Sequence, residues 1–161
     1  MSLDSMRLLY IILHDLRSVH NTAAIFRTAD AIGVSKIFLS GTTPTPIDRF
    51  ARPRTDFAKA ALGAEISIPW EYVKSPITLI GKLRAEGFEI IAVEQSEKSV
   101  DYKKVRPKRK TAVIFGNEVK GVTASILKRS DIVSDIAMRG KKESLNVSVA
   151  AGVVLFRWFD C

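Results

Sequence analysis

One stretch of the sequence combines a polar amide and a guanidinium on a predicted helix. The stretch is RSVHNTAAIFRTADAIGV (17–34), in which Asn21 is placed to cap the helix and Arg27 lies about one and a half turns inside. The apolar stripe of this helix is formed by Ile25, Ala29 and Ile32. Arg27 therefore lies away from the stripe, where a fixed positive charge can stabilise negative charge that develops on a reacting oxygen.

A second segment passes from a predicted strand directly into polar residues. In AVIFGNEVKGV (112–122), the apolar run turns through Gly116 into Asn117 and Glu118. A glycine at this point lets the chain turn. For Glu118 the alternative to a role in a site is an ordinary surface carboxylate.

A third segment begins a long helix. It is IAMRGKKESLNVSVAAGVVLFRW (136–158), in which Ser144 or a neighbour caps the helix and Asn146 lies in its first turn. For Asn21 and Ser144, helix capping and a role in a site are compatible. The run after Asn146 is apolar nearly all round, so it must be covered on a second side, by the chain itself or by another subunit.

The motifs of the commoner enzyme classes are absent. The sequence holds neither a G-x-G-x-x-G dinucleotide loop nor a G-x-x-x-x-G-K-[ST] phosphate loop. No catalytic triad can be assembled around His14 or His20, which are typical of a strand end and a helix start. With two histidines and one cysteine, Cys161, a zinc site is not expected, and no metal is predicted.

Short apolar runs alternate with helical stretches, and these elements must position the polar residues. The predicted strands are Leu8–Leu13, Ile37–Leu39, Ile90–Val93, Ala112–Phe115 and Ile132–Ile136, with a weaker one at Ile66–Trp70. The predicted helices are Thr22–Ile32, Phe57–Leu62, Ile77–Glu86, Ala124–Lys128 and Leu145–Phe159. Such a pattern indicates an α/β fold: a mainly parallel sheet flanked by helices, in a single domain over residues 1–161. Because ligands of such sheets bind beyond the carboxyl ends of the strands, the turns after ILHD, FLSG, AVEQ and IFGNE mark the expected site.

The composition favours a polyanionic partner. The 161 residues carry a net charge of +8. Basic residues concentrate in the loops 103–110 and 49–54, and each is either a solvated surface loop or a contact to phosphates. Phe50 and Phe57 lie near the second group for base stacking. A lone cysteine and the absence of a signal peptide or membrane-spanning run favour a cytoplasmic protein that contacts no membrane.

The three segments resemble the motifs of one enzyme family. N-x-x-x-x-x-R, F-G-N-E-x-x-G and E-S-L-N-V-S-V-A occur in the order and at the separations typical of the SpoU/TrmH family of the SPOUT superfamily. The resemblance spans residues 8–159. It implies an α/β fold with a C-terminal trefoil knot, an exception to the rule of unknotted chains. It also implies a homodimer that transfers a methyl group from S-adenosylmethionine to a ribose 2′-hydroxyl of tRNA or rRNA, tRNA being slightly favoured. Unlike some rRNA enzymes of the family, the sequence is expected to carry no appended RNA-binding domain.

The resemblance also assigns roles to residues. It implies a cofactor site formed by Val93, Glu94, Gly116, Ile136, Met138 and Leu145. It implies a catalytic group formed by Arg27, Asn21, Glu118, Ser144 and Asn146. The family's equivalent of Arg27 has been proposed as a general base, but an arginine scarcely deprotonates in proteins, so stabilisation of the reacting oxygen asks less of it.

Three alternatives stay open at this point. The chain could be a catalytically silent RNA-binding protein on the same scaffold, which the intact Arg27, Glu118, Ser144 and Asn146 disfavour. It could belong to the branch that methylates the wobble position of tRNA, whose opening segment differs. It could be an unrelated α/β nucleotide-binding domain, which the missing phosphate loops disfavour.

Overall fold

A computed structural model describes residues 6–160, and it contains seven strands and six α-helices within that range. The strands are β1 (Leu8–His14), β2 (Lys36–Ser40), β3 (Trp70–Val73), β4 (Glu89–Val93), β5 (Val100–Asp101), β6 (Lys110–Phe115) and β7 (Ile132–Asp135). The helices are α1 (Val19–Ile32), α2 (Thr55–Ala61), α3 (Ala64–Ser67), α4 (Pro76–Ala85), α5 (Ala124–Arg129) and α6 (Val147–Phe159). Cys161 lies outside the described residues.

All seven strands form one parallel sheet in the order β3-β2-β1-β6-β4-β7-β5. The parallel α/β class predicted from the sequence is thereby confirmed. Since the strands run in one direction, their carboxyl ends lie along one edge of the sheet. The turns after β1, β2, β4, β6 and β7 therefore meet at that edge, which we call the carboxyl edge. The trefoil knot stays a prediction, since a strand order does not describe how the chain threads.

Alternating side chains of the central strands build a core on each face of the sheet. Ile11 and Leu13 of β1 are buried in one cluster with residues of α1, α2, α3 and α6, whereas Ile12 is buried in the other with residues of α4 and α5. Burial on both faces explains why the central strands are continuous apolar runs. Each fully buried side chain of this size contributes roughly 1.5–3 kcal/mol, so the sheet is a rigid base for the turns at its edge.

Two helix starts differ from the prediction. The N-cap of α1 is Ser18, whose Oγ accepts a hydrogen bond from the backbone N–H of Asn21 at 3.0 Å, so Asn21 lies in the first turn. The N-cap of α6 is Asn146, whose Oδ1 accepts from the Ser148 N–H at 2.9 Å, so Ser144 does not cap the helix. In both cases several residues with capping side chains lie within one turn, and the tertiary contacts decide between them.

Two strand predictions also need correction. The weak strand expected at Ile66–Trp70 is wrong, because Ala64–Ser67 is helical and the strand begins only at Trp70. The exposed fraction of Ile66 is 85%, so its apolar side chain does not mark a buried strand. The short strand Val100–Asp101 was not predicted; it pairs with β7 at the sheet edge through two residues and has no apolar run of its own.

Helix α6 packs only one of its apolar sides. Ala151, Val154, Leu155, Trp158 and Phe159 are buried against the sheet. Val149, Val153 and Phe156 form a stripe at i, i+4 and i+7, with exposed fractions of 51%, 36% and 43%. Nothing in residues 6–160 covers this stripe.

Candidate functional site

A cleft of about 290 Å³ lies at the carboxyl edge, between the turns that follow β4, β6 and β7. It is lined by Val93, Glu94, Gln95, Phe115, Gly116, Asn117, Glu118, Val119, Lys120, Gly121, Asp135, Ile136, Met138, Glu143, Ser144, Leu145, Val147 and Ala150. All six residues predicted to bind a cofactor are in this lining. The structure thus brings together segments that are more than forty residues apart in the sequence.

Glu94 fastens the end of β4 to the turn after β6. Its Oε2 accepts a hydrogen bond from the Val122 N–H at 2.8 Å, and its Oε1 accepts from the Gln95 N–H at 2.8 Å. Its own backbone N–H donates to the Ser134 carbonyl at 2.9 Å. The Glu94 carboxylate is half-buried, and both of its oxygens accept hydrogen bonds from the protein's own backbone. Its first effect is therefore to fix the shape of the cleft.

Two glycines allow the turn after β6 to fold tightly. A Cβ on Gly116 would lie 2.6 Å from the carbonyl carbon of Gly121, and one on Gly121 would lie 2.0 Å from Glu94 Oε2. Gly121 also has a φ of +70°, which side chains rarely adopt. The chain turns at Gly116 as the sequence predicted; the close approach of Gly116 to Gly121 and of Gly121 to Glu94 is seen only in the structure.

Glu118 ties this turn to the start of α1. Its carboxylate accepts hydrogen bonds from the backbone N–H groups of Arg17, at 3.1 Å, and Ser18, at 3.1 Å. It also accepts one from the Asn21 side-chain amide at 3.4 Å. Burial alone would raise the pKa of Glu118, but the hydrogen bonds from backbone N–H groups and from Asn21 together lower it below the ordinary value. Glu118 is therefore a structural anion at a helix start rather than a free surface carboxylate.

Asn21 extends the connection to the third segment. Its Oδ1 accepts a hydrogen bond at 3.1 Å from the side-chain amide of Asn146, the N-cap of α6. Glu118, Asn21 and Asn146 form a continuous chain of hydrogen bonds across the three segments. Ser144 is exposed and lines the cleft beside this chain.

Arg27 is separate from the other four predicted catalytic residues. It is exposed on α1, six residues beyond Asn21, which places it about 9 Å further along the helix axis. Its guanidinium has no hydrogen bond or ion pair with any of residues 6–160, and it does not line the cleft. A cation without a partner among the described residues can pair with a bound molecule.

Several cleft residues were missed by the sequence analysis. Asn117 donates from its side-chain amide to the Asp15 carbonyl at 2.8 Å, which joins the turn after β6 to the end of β1. Gln95 donates to the Glu143 carbonyl at 2.8 Å. Both follow the ends of strands that the sequence did identify, so their position at the carboxyl edge could have included them.

The charge of the cleft is negative. Its ionisable lining residues are four carboxylates and one lysine: Glu94, Glu118, Asp135, Glu143 and Lys120. Four minus one leaves three excess negative charges, which repel phosphates and attract a small cation. Within residues 6–160 no three His, Cys, Asp or Glu side chains are arranged to hold a metal ion, and no helix there is long and apolar enough to cross a bilayer.

The lowered pKa of Glu118 predicts how the fold responds to acid. Since the folded-state pKa lies below the ordinary 4.5, the carboxylate stabilises the fold above that pH, and this stabilisation is lost as the pH falls through the folded-state pKa. We expect Glu118→Gln to lower the free energy of unfolding at pH 7, and the difference from wild type to shrink below pH 4.5. Urea unfolding between pH 7 and pH 3 measures it. The control is Glu97→Gln, an exposed position. A difference that does not depend on pH would contradict the anchoring role of the charge.

Comparison with known proteins shows which proteins this chain is similar to. The sequence model described as the SpoU rRNA Methylase family matches residues 8–156. A curated relative from Escherichia coli (strain K12), named tRNA (guanosine(18)-2′-O)-methyltransferase, is 32% identical over 151 residues, which cover 92% of this chain and 61% of the relative. The chain thus spans about three fifths of the length of that relative.

Two solved structures give the same fold. The A. aeolicus TrmH/SpoU tRNA modifying enzyme has a TM-score of 0.82 at 29% identity, over 94% of this chain and 74% of that chain. The AdoMet-bound rRNA methyltransferase from Sinorhizobium meliloti has a TM-score of 0.82 at 28% identity, over 96% of this chain and 57% of that chain.

Proposed function

The chain belongs to the SpoU rRNA Methylase family, and on that premise we propose that it transfers a methyl group from S-adenosylmethionine to a ribose 2′-hydroxyl of RNA. The substrate is tRNA or rRNA, with tRNA slightly favoured, since the E. coli relative is named for a tRNA reaction. The observation that carries the proposal is the cleft, whose lining includes every residue assigned to the cofactor from the motifs. The trefoil knot, the single domain over residues 1–161 and a cytoplasmic location belong to the same proposal.

The cleft suits S-adenosylmethionine in the chemistry of its lining and in its charge. Val93, Ile136, Met138 and Leu145 offer an apolar surface for an adenine ring, and Gly116 brings backbone close to the ligand. The excess of carboxylates attracts the sulfonium, and it disfavours the phosphate-bearing cofactors of other α/β domains. When bound, S-adenosylmethionine supplies a methyl group that is already activated by the positive sulfur. The protein then has to align the hydroxyl and stabilise its developing negative charge.

We assign to Arg27 the role of stabilising the negative charge that develops on the hydroxyl oxygen. An arginine keeps its proton at any physiological pH, so it acts as a fixed donor and counter-charge rather than as a base. Its guanidinium has no partner within residues 6–160, so nothing there competes with the substrate oxygen. Asn21, Glu118 and Asn146 act as positioning residues through their chain of hydrogen bonds, and Ser144 contacts the ribose from the cleft wall.

A second copy of the chain completes this arrangement. Arg27 does not line the cleft of its own chain, and the stripe of Val149, Val153 and Phe156 on α6 is exposed. Helices α1 and α6 are in contact and present both features. We assign this surface to a homodimer interface that buries the stripe and supplies Arg27 to a site near the subunit boundary.

The cofactor assignment predicts one binding site per subunit for S-adenosylhomocysteine. Titration calorimetry should detect it, and EDTA should leave the affinity unchanged. Gly121→Ala should weaken binding at least tenfold, because its Cβ would lie 2.0 Å from Glu94 Oε2 and deform the cleft wall. Gly81→Ala is the matched control, because the new Cβ there would meet no atom beyond its chain neighbours and the backbone of its own helix. No detectable binding by the folded wild-type protein at millimolar ligand would rule out the enzyme.

The role of Arg27 predicts a loss of rate without a loss of cofactor. Arg27→Ala should lower methyl transfer by about 10²–10³-fold, the effect of removing one transition-state donor, and leave S-adenosylhomocysteine affinity unchanged. Arg27→Lys separates charge from geometry, because lysine keeps the charge and loses the planar fork. The measurement is single-turnover transfer of a labelled methyl group. A wild-type rate in Arg27→Ala would show that another residue stabilises the oxygen.

The proposed interface on α6 predicts a homodimer that one charged substitution in the apolar stripe should dissociate. Static light scattering should give twice the 17.8 kDa of one chain at micromolar concentration. Val153→Asp should give the monomer mass, because burying an unpaired carboxylate is costly. Ile66→Asp, at another exposed apolar position, should leave the dimer intact. A wild-type protein of 17.8 kDa would contradict the interface.

A further inference from the structure

The loop between β2 and α2, residues 41–54, begins at the carboxyl edge and is fastened to the cleft. The Thr42 N–H donates to Asp15 Oδ1 at 3.1 Å, and the Asp15 carbonyl accepts from Asn117, which lines the cleft. Gly41 makes this contact possible, since a Cβ there would lie 1.8 Å from Asp15 Oδ1. The loop is therefore held in a fixed relation to the proposed reaction site.

The tip of the loop is folded in advance by Asp48. Its Oδ1 accepts from the backbone N–H groups of Phe50, at 2.8 Å, and Arg52, at 3.0 Å, and its Oδ2 accepts from the Arg52 guanidinium at 2.9 Å. Ile47 and Pro53 form an antiparallel bridge below the tip. The hydrogen bonds from Arg52 hold the pKa of Asp48 below its ordinary value, so the acceptor of these hydrogen bonds is charged at neutral pH. A segment that is already ordered loses little entropy when it binds.

The tip presents an aromatic ring and a cation that has no acidic partner among residues 6–160. Phe50 has an exposed fraction of 62%, and the guanidiniums of Arg49 and Arg52 lie 4.7 Å and 5.1 Å from its ring centroid. Arg52 is paired with Asp48 and Arg54 with Asp56. Arg49 has no hydrogen bond or ion pair with any of residues 6–160, and its only contact of this kind is to the Phe50 ring.

An exposed ring beside a guanidinium that has no acidic partner among residues 6–160 matches the base and the phosphate of a nucleotide. Aromatic side chains stack on bases of any sequence, and arginine pairs with phosphate. The same tip of a second copy is a poor occupant, because the Arg49 guanidiniums of the two chains would meet without an acidic partner: Asp48, the acidic residue of the tip, is paired with Arg52. The residues of the loop also line a shallow depression that is open to solvent.

We propose that Phe50 and Arg49 form a docking site for one nucleotide of the RNA substrate, with the base stacked on Phe50 and a phosphate paired with Arg49. The site rests on the proposed function, and it orients the strand whose ribose enters the cleft. Arg109 of the larger basic loop, residues 103–110, is not placed for this task. Its carbonyl accepts a hydrogen bond from the Leu8 N–H at the start of β1, and it precedes β6, whose six residues span about 20 Å. Arg109 therefore lies at the opposite edge of the sheet from the cleft.

The test is binding of a fluorescein-labelled twelve-nucleotide oligoadenylate, followed by anisotropy at several salt concentrations. Phe50→Leu, which removes the ring and keeps an apolar side chain, should weaken binding about 5- to 150-fold, the loss of one base stack. Phe50→Trp should retain or tighten it. Arg49→Ala should lower the slope of log affinity against log salt by about 0.7, the value of one phosphate contact to a single strand. The matched control, Arg109→Ala, removes the same charge from an exposed position of the opposite edge and should leave the slope unchanged.

The outcomes separate this site from the proposed function. Three results would each overturn the docking site. The first is an equal change of the salt slope in Arg49→Ala and Arg109→Ala. The others are an unchanged affinity in Phe50→Leu and a wild-type protein that does not bind the oligonucleotide. Binding of S-adenosylhomocysteine by the same proteins would show that the proposed function stands regardless. A change of oligomeric mass in Phe50→Leu, by light scattering, would assign the tip to a protein contact instead. Thermal unfolding confirms that each variant is folded.

Discussion

The common direction of all seven strands is the constraint on which the rest of the molecule depends. It places the ends of β1, β2, β4, β6 and β7 at one edge, so segments distant in sequence form a single cleft. Both faces of the sheet are covered by helices, so polar groups meet solvent and ligands mainly at that edge. The cleft, the start of α1 and the loop 41–54 are all consequences of this arrangement.

Two glutamates convert the shared edge into a defined site. Glu94 binds the backbone of the turn after β6, and Glu118 binds the backbone at the start of α1. Hydrogen bonds from N–H groups to a carboxylate are stronger than those between neutral partners, so each ties two segments firmly together. The same carboxylates give the cleft its negative charge. In the proposed reaction one set of residues thus both fixes the geometry and favours a cationic methyl donor.

The sequence predicted most of the fold because apolar periodicity reports burial directly. Five strands and the main helices lie where their apolar runs indicated. The strand predicted near Ile66 is absent because Ile66 is exposed, and the sequence alone does not distinguish an exposed isoleucine from a buried one. The caps of α1 and α6 were misassigned for a related reason. Ser18 and Asn21 can both cap a helix, and only the contact of Asn21 with Glu118 and Asn146 shows which one does.

The motifs predicted which residues lie together at the cleft better than they predicted the contacts between them. Every residue of the predicted cofactor set lines the cleft, whereas Arg27 does not. The hydrogen bond between Glu118 and Asn21 joins residues 97 positions apart, and no local pattern encodes it. The lack of a partner for Arg27 within residues 6–160 could not be predicted either. The helical pattern shows on which side of the helix a residue lies, but not what faces that side.

Transfer of a methyl group to ribose is tested most directly by the chemistry of the product. The purified protein is incubated with methyl-labelled S-adenosylmethionine and with total RNA from cells that lack its gene, and the RNA is hydrolysed in alkali. A 2′-O-methyl group blocks the hydroxyl that alkaline cleavage requires, so the label should appear in alkali-resistant dinucleotides from one position of a tRNA or rRNA. Label confined to mononucleotides would mean that a base is methylated, and that result would contradict the account.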